Sequence, residues 1–367
     1  MTLEPRQEQF FSLLRSGLWG TEADASLFDA STDWMALFQI AKSQSTLALV
    51  YDGILTLPRE LRPERRLFLQ WSNIVAQIEE ENDHLNDRLH EVFRIFQDAG
   101  LSPVLLKGQG VAQCYRQPEH RQCGDIDVFI GKRDYEKANA LLRKEATSEH
   151  QENEKHTGFH WRDVEVETHR LITRLSDPWA NRHFQHEVSR WFPHGHAVSI
   201  KGQPVETPPT EFNVLFLIVH ATYHLLEGGI GLRQVSDWAC LLHASHATIR
   251  RQEAVALLRK CGFLRAAKAF GAIAVDVLGL EANQLPFTLS DSDRHLGEWL
   301  LQDILRGGNF GHYRPEGTPR SAWLQAFRRC YLELGRLAPR EAFWHPILLI
   351  PLSIRIKTQR LMSALRR

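Results

Sequence analysis

Apolar residues recur every three or four positions through residues 6–98, the spacing that places them on one face of an α-helix. The longest of these patterns runs from Pro63 to Phe96, and its charged segment Glu79–Asp83 falls on the outer face. Gly100 follows as a typical helix stop. The first hundred residues are therefore predicted to be helical.

The pattern changes between Ser102 and about Val205, where short apolar runs and alternating runs are typical of strands joined by short helices. One predicted hairpin turns at Arg162 and Asp163. Strands are predicted over residues 104–107, 125–130, 158–161 and 164–169, a further hairpin over 196–200 and 204–207, helices over 109–116 and 133–145, and a polar loop over 149–154.

Helical spacing returns after Pro208-Pro209-Thr210-Glu211, whose prolines favour the first turn of a helix. Helices are predicted over residues 212–226, 232–243, 248–261, 264–278, 294–306, 321–337 and 343–360, with glycine breaks at 228–231 and 307–311. The whole pattern predicts an α+β fold, a small mixed-sheet core flanked by helical regions. Its expected parts are an N-terminal helical region over 1–101, the core over 102–207 and a C-terminal helical domain over 208–367.

The chain's 367 residues carry 44 Lys plus Arg and 44 Asp plus Glu, so its formal net charge is zero. A protein that coats nucleic acid needs a basic surface, so a nucleic-acid partner is not expected. Five cysteines without a CxxC pair are typical of a reducing compartment. Because the sequence shows neither a signal-like N-terminus nor an apolar run long enough to span a bilayer, we expect a cytoplasmic protein without a membrane span.

Two carboxylates share one face of the strand predicted over residues 125–130. Side chains alternate along a strand, so Asp125 and Asp127 lie side by side while Ile126 and Val128 point to the other face. Paired acids next to an apolar run favour a function over a simple turn, because buried like charges are costly without a cation between them. Mg²⁺ takes carboxylate oxygens and keeps positions for phosphates. This strand therefore predicts a metal–phosphate site.

The strand over residues 164–169 offers a third acid. Its alternation places Glu165, Glu167 and His169 on one face, so either glutamate could complete the metal site if this strand lies beside Asp125 and Asp127. His169 could contact a phosphate or hydrogen-bond a metal ligand. An exposed strand histidine is the competing interpretation.

A glycine turn precedes these strands. The backbone N–H groups of Gly108, Gln109 and Gly110 would stand at the start of a helix, where they favour an anion. Lys107 either neutralises phosphate charge there or ends a strand in solvent. Arg121 is close enough along the chain to reach a triphosphate or to pair with an aspartate.

Four polar residues of the C-terminal half are candidates for the same cleft. His220 and His224 are four residues apart and share a helix face, although zinc binding by this pair lacks an evident third ligand. Arg233 and Asp237 have the same spacing, which a structural ion pair would explain. We expect at least one of His220, His224 and Arg233 to face the aspartates.

Several of these motifs occur together in a pattern that resembles a known family. They are Leu105-Leu-Lys-Gly108, Tyr115 with Pro118 and Arg121, Asp125-Ile-Asp127, Glu167-x-His169, His220 with His224, Gly231-Leu-Arg-Gln234, Asp237 and Gly307-Gly-Asn-Phe-Gly311. The combination of a glycine turn, an Asp-x-Asp strand and a later acid on a strand resembles the DNA polymerase beta nucleotidyltransferase superfamily. The full set more closely resembles an uncharacterised bacterial nucleotidyltransferase-like family of that superfamily.

The resemblance implies a role for each candidate residue. Asp125, Asp127 and Glu167 would be the catalytic residues and the metal ligands, with Glu167 preferred over Glu165 because of the Glu-x-His pattern. The nucleotide would be bound by Lys107, Gly108, Gln109, Gly110 and Arg121, and the substrate or a metal ligand would be contacted by His169, His220, His224 and Arg233.

The implied activity is metal-dependent transfer of a nucleoside monophosphate from an NTP to a small-molecule, peptide or protein acceptor, with Mg²⁺ or Mn²⁺ as cofactor and release of pyrophosphate. Gln109 stands where the pattern usually has serine, and the distance from Gly108 to Asp125 is long for the superfamily. A catalytically inactive nucleotide-binding or regulatory protein is therefore the alternative. The identity of the acceptor, the choice of NTP and the oligomeric state stay open at this point.

Overall fold

The computed structural model describes residues 1, 3–150, 155–309, 331–332, 334–345 and 347. The predicted helices over 321–337 and 343–360 and the glycine break over 307–311 lie partly outside the described residues. Within them, the chain folds as an α+β protein with helices on both sides of a mixed sheet.

The N-terminal part is helical, as its apolar spacing predicts. It contains α1 (Pro5–Trp19), α2 (Trp34–Ser43), α3 (Leu47–Thr56) and α4 (Arg65–Asp98). Helix α4 has 34 residues and one continuous apolar face. Its first half packs in the helical core through Trp71, and its second half packs under the sheet through Phe93. Because α4 contributes to both cores, the division at residue 101 stays a proposal about folding units.

The central part builds the five-stranded sheet and its connections. It contains β1 (Val104–Leu106), α5 (Gly108–Ala112), β2 (Asp125–Phe129), α6 (Tyr135–Leu142), β3 (Ala146–His150), β4 (His156–Trp161), β5 (Val164–His169), α7 (Pro178–Trp191), β6 (His196–Ile200) and β7 (Gln203–Thr207). The strand order is β1-β2-β5-β4-β3, and β6 and β7 form a separate hairpin beside β1. In this sheet only β2 and β5 are parallel neighbours. The two strands that carry the acids therefore run side by side in the same direction.

The two faces of the sheet have opposite chemistry. Ile126, Val128 and Val166 are buried against α4 and α6. The alternate positions on β2 and β5 include four acids, which point to the other side, towards the C-terminal helices. Strand alternation thus places the acids on the face that the apolar core does not use.

The C-terminal part covers that polar face. It contains α8 (Thr210–Glu227), α9 (Leu232–Ser245), α10 (Arg251–Lys260), α11 (Leu264–Asp276), α12 (Asp291–Gly307) and the short α13 (Leu334–Leu337). Helices α8 and α9 meet at the predicted glycine break and form the wall opposite the sheet. Among the described residues, no helix combines the length and apolar character needed to cross a membrane.

Two elements differ from the sequence prediction. Residues 146–150 form the edge strand β3, although the sequence predicts a polar loop from residue 149. The side chains of β3 are mostly exposed, so its sequence does not alternate between apolar and polar residues. Helix α7 was not predicted, although its sequence carries a start signal. The Asp177 carboxylate accepts hydrogen bonds from the N–H groups of Trp179 and Ala180, and Pro178 occupies the first turn.

Candidate active site

A cleft of about 680 Å³ lies between the polar face of the sheet and helices α8 and α9. Its volume is within the range of small-molecule binding sites. Its lining includes most residues singled out from the sequence, namely Lys107, Gly108, Arg121, Asp125, Asp127, Glu167, His169, His220, His224 and Arg233. Gln109 and Gly110 are buried behind it.

The parallel register of β2 and β5 brings three carboxylates together. Asp125 lies opposite Glu165, and Asp127 lies opposite Glu167. Carboxylate oxygens of Asp125, Asp127 and Glu167 all lie within 4.8 Å of one another. The Asp127 side chain is fully buried, whereas that of Asp125 is 38% exposed at the mouth of the cleft.

Glu165 lies outside this cluster. Its carboxylate contacts His160 Nδ1 at 2.8 Å, and both side chains are nearly half exposed. The strand register therefore brings Glu167, the third acid expected from the Glu-x-His pattern, to the aspartates. Its role as a ligand stays a prediction.

Lys107 is the counterion of the cluster. Its Nζ lies 2.7 Å from Asp127 Oδ2 and 3.5 Å from Asp125 Oδ2. Burial by itself would lower the pKa of Lys107, but the charges of Asp125, Asp127 and Glu167 outweigh burial and raise that pKa. The ammonium group is therefore charged at neutral pH, and of the two interpretations of Lys107 the structure favours the one inside the site.

His169 contacts two of the three acids. Its Nε2 lies 3.0 Å from Asp127 Oδ1 and 3.3 Å from Glu167 Oε2. Burial lowers the pKa of His169, yet its hydrogen bonds to the two carboxylates outweigh burial and raise it. Burial raises the pKa of Glu167, whereas His169 and Lys107 together lower it to about 2, so this carboxylate is ionised. The exposed-histidine alternative for His169 is wrong, because the ring is buried.

The glycine turn differs from the expected phosphate loop at two positions. The Gln109 side chain points away from the cleft and donates to Asn82 Oδ1 at 2.7 Å. The N–H of Gly110 donates to Lys107 O at 3.1 Å, and a Cβ at Gly110 would lie 2.8 Å from Thr207 Cγ2. Gly110 is thus explained by packing and its N–H already has an acceptor, whereas the phosphate contact of the Gln109 backbone N–H stays a prediction. Gly108, at φ +51°, is the member of the turn that lines the cleft.

Arg121 requires a correction as well. Its Nε and Nη2 donate to the two oxygens of Asp237 at 2.8 Å each, and Tyr115 donates to the same carboxylate at 2.7 Å. All three side chains are buried. Burial would raise the pKa of Asp237, but the Arg121 guanidinium outweighs burial and lowers it. Arg121 therefore pairs with Asp237, which the sequence did not link to it, and its assignment to the nucleotide is not supported by its contacts.

Arg233 is not the partner of Asp237 that its i, i+4 spacing suggested. Its Nη1 donates to the backbone oxygen of Gln122 at 2.8 Å, and the side chain reaches the cleft beside the acids. The expected structural ion pair between Arg233 and Asp237 is replaced by the bidentate pair with Arg121.

His220 and His224 stand on α8 across the cleft from the sheet. Their ring centroids are 4.3 Å apart in an edge-to-face arrangement. Burial, aided by the charge of Lys107, lowers the pKa of both residues, that of His224 to about 4. Both imidazoles are therefore neutral at neutral pH. The structure brings His220, His224 and Arg233 to the cleft that contains the three carboxylates, as expected for at least one of them.

Further cleft residues were not found from the sequence. Among them are His150, Lys155 and His156, which lie at or next to the end of β3 and the start of β4. The signal for His156 was present, because the hairpin predicted at Arg162 and Asp163 continues two residues further and sets His156 opposite His169. His150 lies on β3, a strand that the sequence does not predict.

The donor set of the cluster suits the metal that the resemblance implies. Three convergent carboxylates are suitable ligands for Mg²⁺ or Mn²⁺, which prefer oxygen donors. The ammonium group of Lys107 shows that the cluster stabilises positive charge. Asp125, Asp127 and Glu167 therefore fit such a cation.

Comparison with known proteins gives a family but no close relative. No curated protein and no solved structure matches the chain. A family model described as an uncharacterised nucleotidyltransferase matches residues 30–279, which is more than half of the chain and includes every site residue discussed above. The chain therefore belongs to this uncharacterised nucleotidyltransferase family.

Proposed function

We propose that this protein transfers a nucleoside monophosphate from an NTP to an acceptor and releases pyrophosphate. The observation that carries the proposal is the register between β2 and β5, which gathers Asp125, Asp127 and Glu167 within 4.8 Å beside Lys107. Phosphoryl-type transfer depends mainly on positioning and charge neutralisation, and this cluster supplies both. Membership of the DNA polymerase beta nucleotidyltransferase superfamily and the class of the acceptor belong to the same proposal.

Asp125, Asp127 and Glu167 would hold the divalent cation. When bound, Mg²⁺ or Mn²⁺ would neutralise triphosphate charge and lower the pKa of the acceptor. Full burial fixes Asp127 through Lys107 and His169, whereas the partly exposed Asp125 faces the entrance by which a triphosphate would arrive.

The remaining cleft residues would orient the two substrates. Lys107 and Arg233 offer positive charge to phosphate oxygens from two sides of the cleft. His220 and His224 are neutral, so they can hydrogen-bond an acceptor without adding charge near the acids. Acceptor classes from small molecules to protein side chains are compatible with a cleft of about 680 Å³ that is open at one side.

The proposal is tested by pyrophosphate release. The protein is incubated with each of the four NTPs and Mg²⁺ or Mn²⁺, with a panel of sugar phosphates, nucleosides, peptides and proteins, and the α-phosphate label is followed into every product. Asp125→Asn and Glu167→Gln should abolish release. Glu165→Gln is the matched control, because this acid faces the same side of β5 but pairs with His160.

A nucleotide-binding protein without turnover is the second candidate, and two observations favour it. Lys107 already neutralises the acids at 2.7 Å and 3.5 Å, and Gln109 gives no side-chain donor to a phosphate. If ATP binds with Mg²⁺ at micromolar affinity while no NTP yields pyrophosphate with any acceptor, the binding function is supported instead. Failure to bind any nucleotide would contradict both candidates.

A further inference from the structure

A second group of metal-ligand side chains lies next to the three carboxylates. His156 on β4 is the register partner of His169 on β5, and their ring centroids are 4.9 Å apart. Ligand atoms of His156, Glu167 and His169 all lie within 4.8 Å of one another. The group shares only Glu167 with the three-carboxylate cluster, and two of its three donors are imidazoles.

The spacing of these donors resembles a coordination polyhedron. Four ligands at about 2.1 Å from a tetrahedral Zn²⁺ are separated by about 3.4 Å from each other. Glu167 Oε2 lies 3.3 Å from His169 Nε2 and 3.8 Å from His156 Nε2. Both imidazoles therefore approach the same carboxylate oxygen at close to the separation that a shared cation would impose.

The local sequence explains why the three side chains converge. Antiparallel pairing of β4 and β5 sets His156 opposite His169 and Gly158 opposite Glu167. Gly158 has no side chain, so none stands between the strands beside Glu167; a Cβ at Gly158 would lie 2.3 Å from Nε2 of the neighbouring His150. His169 is almost fully buried, which limits its orientation.

We propose that His156, Glu167 and His169 form a binding site for a borderline divalent cation, Zn²⁺, distinct from the magnesium-type site of the three carboxylates. Two histidines and one glutamate with an open fourth position are a ligand set typical of zinc, whereas Mg²⁺ disfavours imidazole nitrogen. The shared Glu167 places the two cation sites side by side. The inference goes beyond the proposed transfer reaction, because it assigns a second metal to two histidines that are not ligands of the magnesium-type cation.

Cobalt is the probe for this site, because Co²⁺ replaces Zn²⁺ and absorbs visible light more strongly with four or five ligands than with six. Titration of the chelator-treated full chain with Co²⁺ in the presence of excess Mg²⁺ should give the intense bands, and Zn²⁺ should remove them stoichiometrically. His156→Ala should weaken Co²⁺ binding by about tenfold or more, because substitution of residues that only hydrogen-bond to a metal ligand already lowers metal affinity by about tenfold or more. His160→Ala, on the same strand and paired with Glu165, should not change it.

X-ray absorption on the zinc-loaded parent protein provides a measurement without any substitution. Scattering from imidazole rings bound to zinc supports the site, and a shell of oxygen atoms alone overturns it. Complete displacement of Co²⁺ by millimolar Mg²⁺, or equal Co²⁺ affinity in the parent protein and His156→Ala, would also overturn it. None of these readouts depends on nucleotide transfer, so the transfer reaction and the zinc site can fail separately.

Discussion

Lys107 and Asp127 form a buried ion pair, with Nζ 2.7 Å from Oδ2, at the centre of a site that a divalent cation is expected to share. The backbone of Lys107 has φ +43°, in the left-handed region that residues with a side chain rarely adopt. Such a conformation is retained when surrounding contacts require it, and it directs this ammonium group at three carboxylates. The same cluster thus has a resident cation before any metal binds.

The first prediction is that Lys107→Met strengthens metal binding. An ammonium group that lies among the ligands repels an incoming cation, so its removal should raise Mn²⁺ affinity by at least about tenfold. In chelator the same variant should be less stable by about 3 kcal/mol, because buried Asp127 loses its counterion. Calorimetric titration with Mn²⁺ and urea unfolding measure the two effects.

Lys132→Met is the control for this experiment, since Lys132 is exposed in the same part of the chain. It should leave both quantities unchanged. Weaker or equal Mn²⁺ binding in Lys107→Met would mean that the three carboxylates do not bind the cation together, and the metal assignment would then be wrong.

The second prediction concerns the buried pair of Arg121 and Asp237. Lysine offers a single ammonium group in place of the two parallel N–H donors at 2.8 Å, so Arg121→Lys should lower the free energy of unfolding by about 3 kcal/mol. The exposed pair of Arg133 and Asp134 is the matched control: Arg133 is 90% exposed, and Arg133→Lys should leave the free energy of unfolding unchanged. Equal effects of the two substitutions in urea unfolding would show that the buried pair has no special role.

The sequence predicts the acidic cluster but not this ion pair, for a physical reason. Strand alternation is a local rule, so Asp125 and Asp127 could be placed on one face without knowledge of the fold. Arg121 and Asp237 are 116 positions apart, and no pattern within either segment reveals their contact. Helical spacing instead favoured Arg233 as the partner, because Arg233 lies on the same helix as Asp237.

The bounds of the strands also depend partly on the local sequence pattern and partly on pairing with distant strands. The hairpin around Arg162 and Asp163 was predicted in its register, but its first strand begins at His156, two residues earlier than expected. Strand β3 has mostly exposed polar side chains, and its pairing with β4 decides its structure. Residues whose position depends on such pairing, His150 among them, were therefore missed.

The third prediction is a pH dependence of stability at His120. This buried ring lies 2.8 Å from Asp52 Oδ2 and 2.8 Å from Glu79 Oε1, where it links α3 and α4 to the chain before β2. Burial lowers the pKa of His120, but its hydrogen bonds to the two carboxylates outweigh burial and raise it. The folded protein therefore binds this proton more tightly than the unfolded chain does.

The contribution of His120 to the free energy of unfolding should be fully present below pH 6.5, the approximate pKa of histidine in the unfolded chain. It should be lost as the pH rises through the higher pKa of His120 in the folded state. Urea unfolding of the parent protein and His120→Asn over pH 5.5–9 measures it: the difference in unfolding free energy should be largest at the acid end. His246→Asn, at an exposed histidine, is the control. A difference that grows with pH would show that the ring is neutral in the folded protein.

The last prediction separates a role for Arg233 in binding from a role in the fold. Its guanidinium makes one hydrogen bond to the backbone, at 2.8 Å to Gln122 O, and otherwise faces the cleft. Arg233→Gln removes a charged donor from a triphosphate, a loss of about 1.5–3 kcal/mol, so we expect binding of a non-hydrolysable ATP analogue with Mg²⁺ to weaken roughly 10- to 100-fold.

Arg251→Gln is the matched control for Arg233→Gln, because Arg251 also donates to a backbone oxygen, that of Leu285 at 3.2 Å, outside the cleft. Both variants should lose about 1 kcal/mol of stability or less, since each breaks one hydrogen bond. If both bind the analogue as the parent protein does, Arg233 only holds Gln122 in place, and the phosphates must be neutralised from the Lys107 side alone.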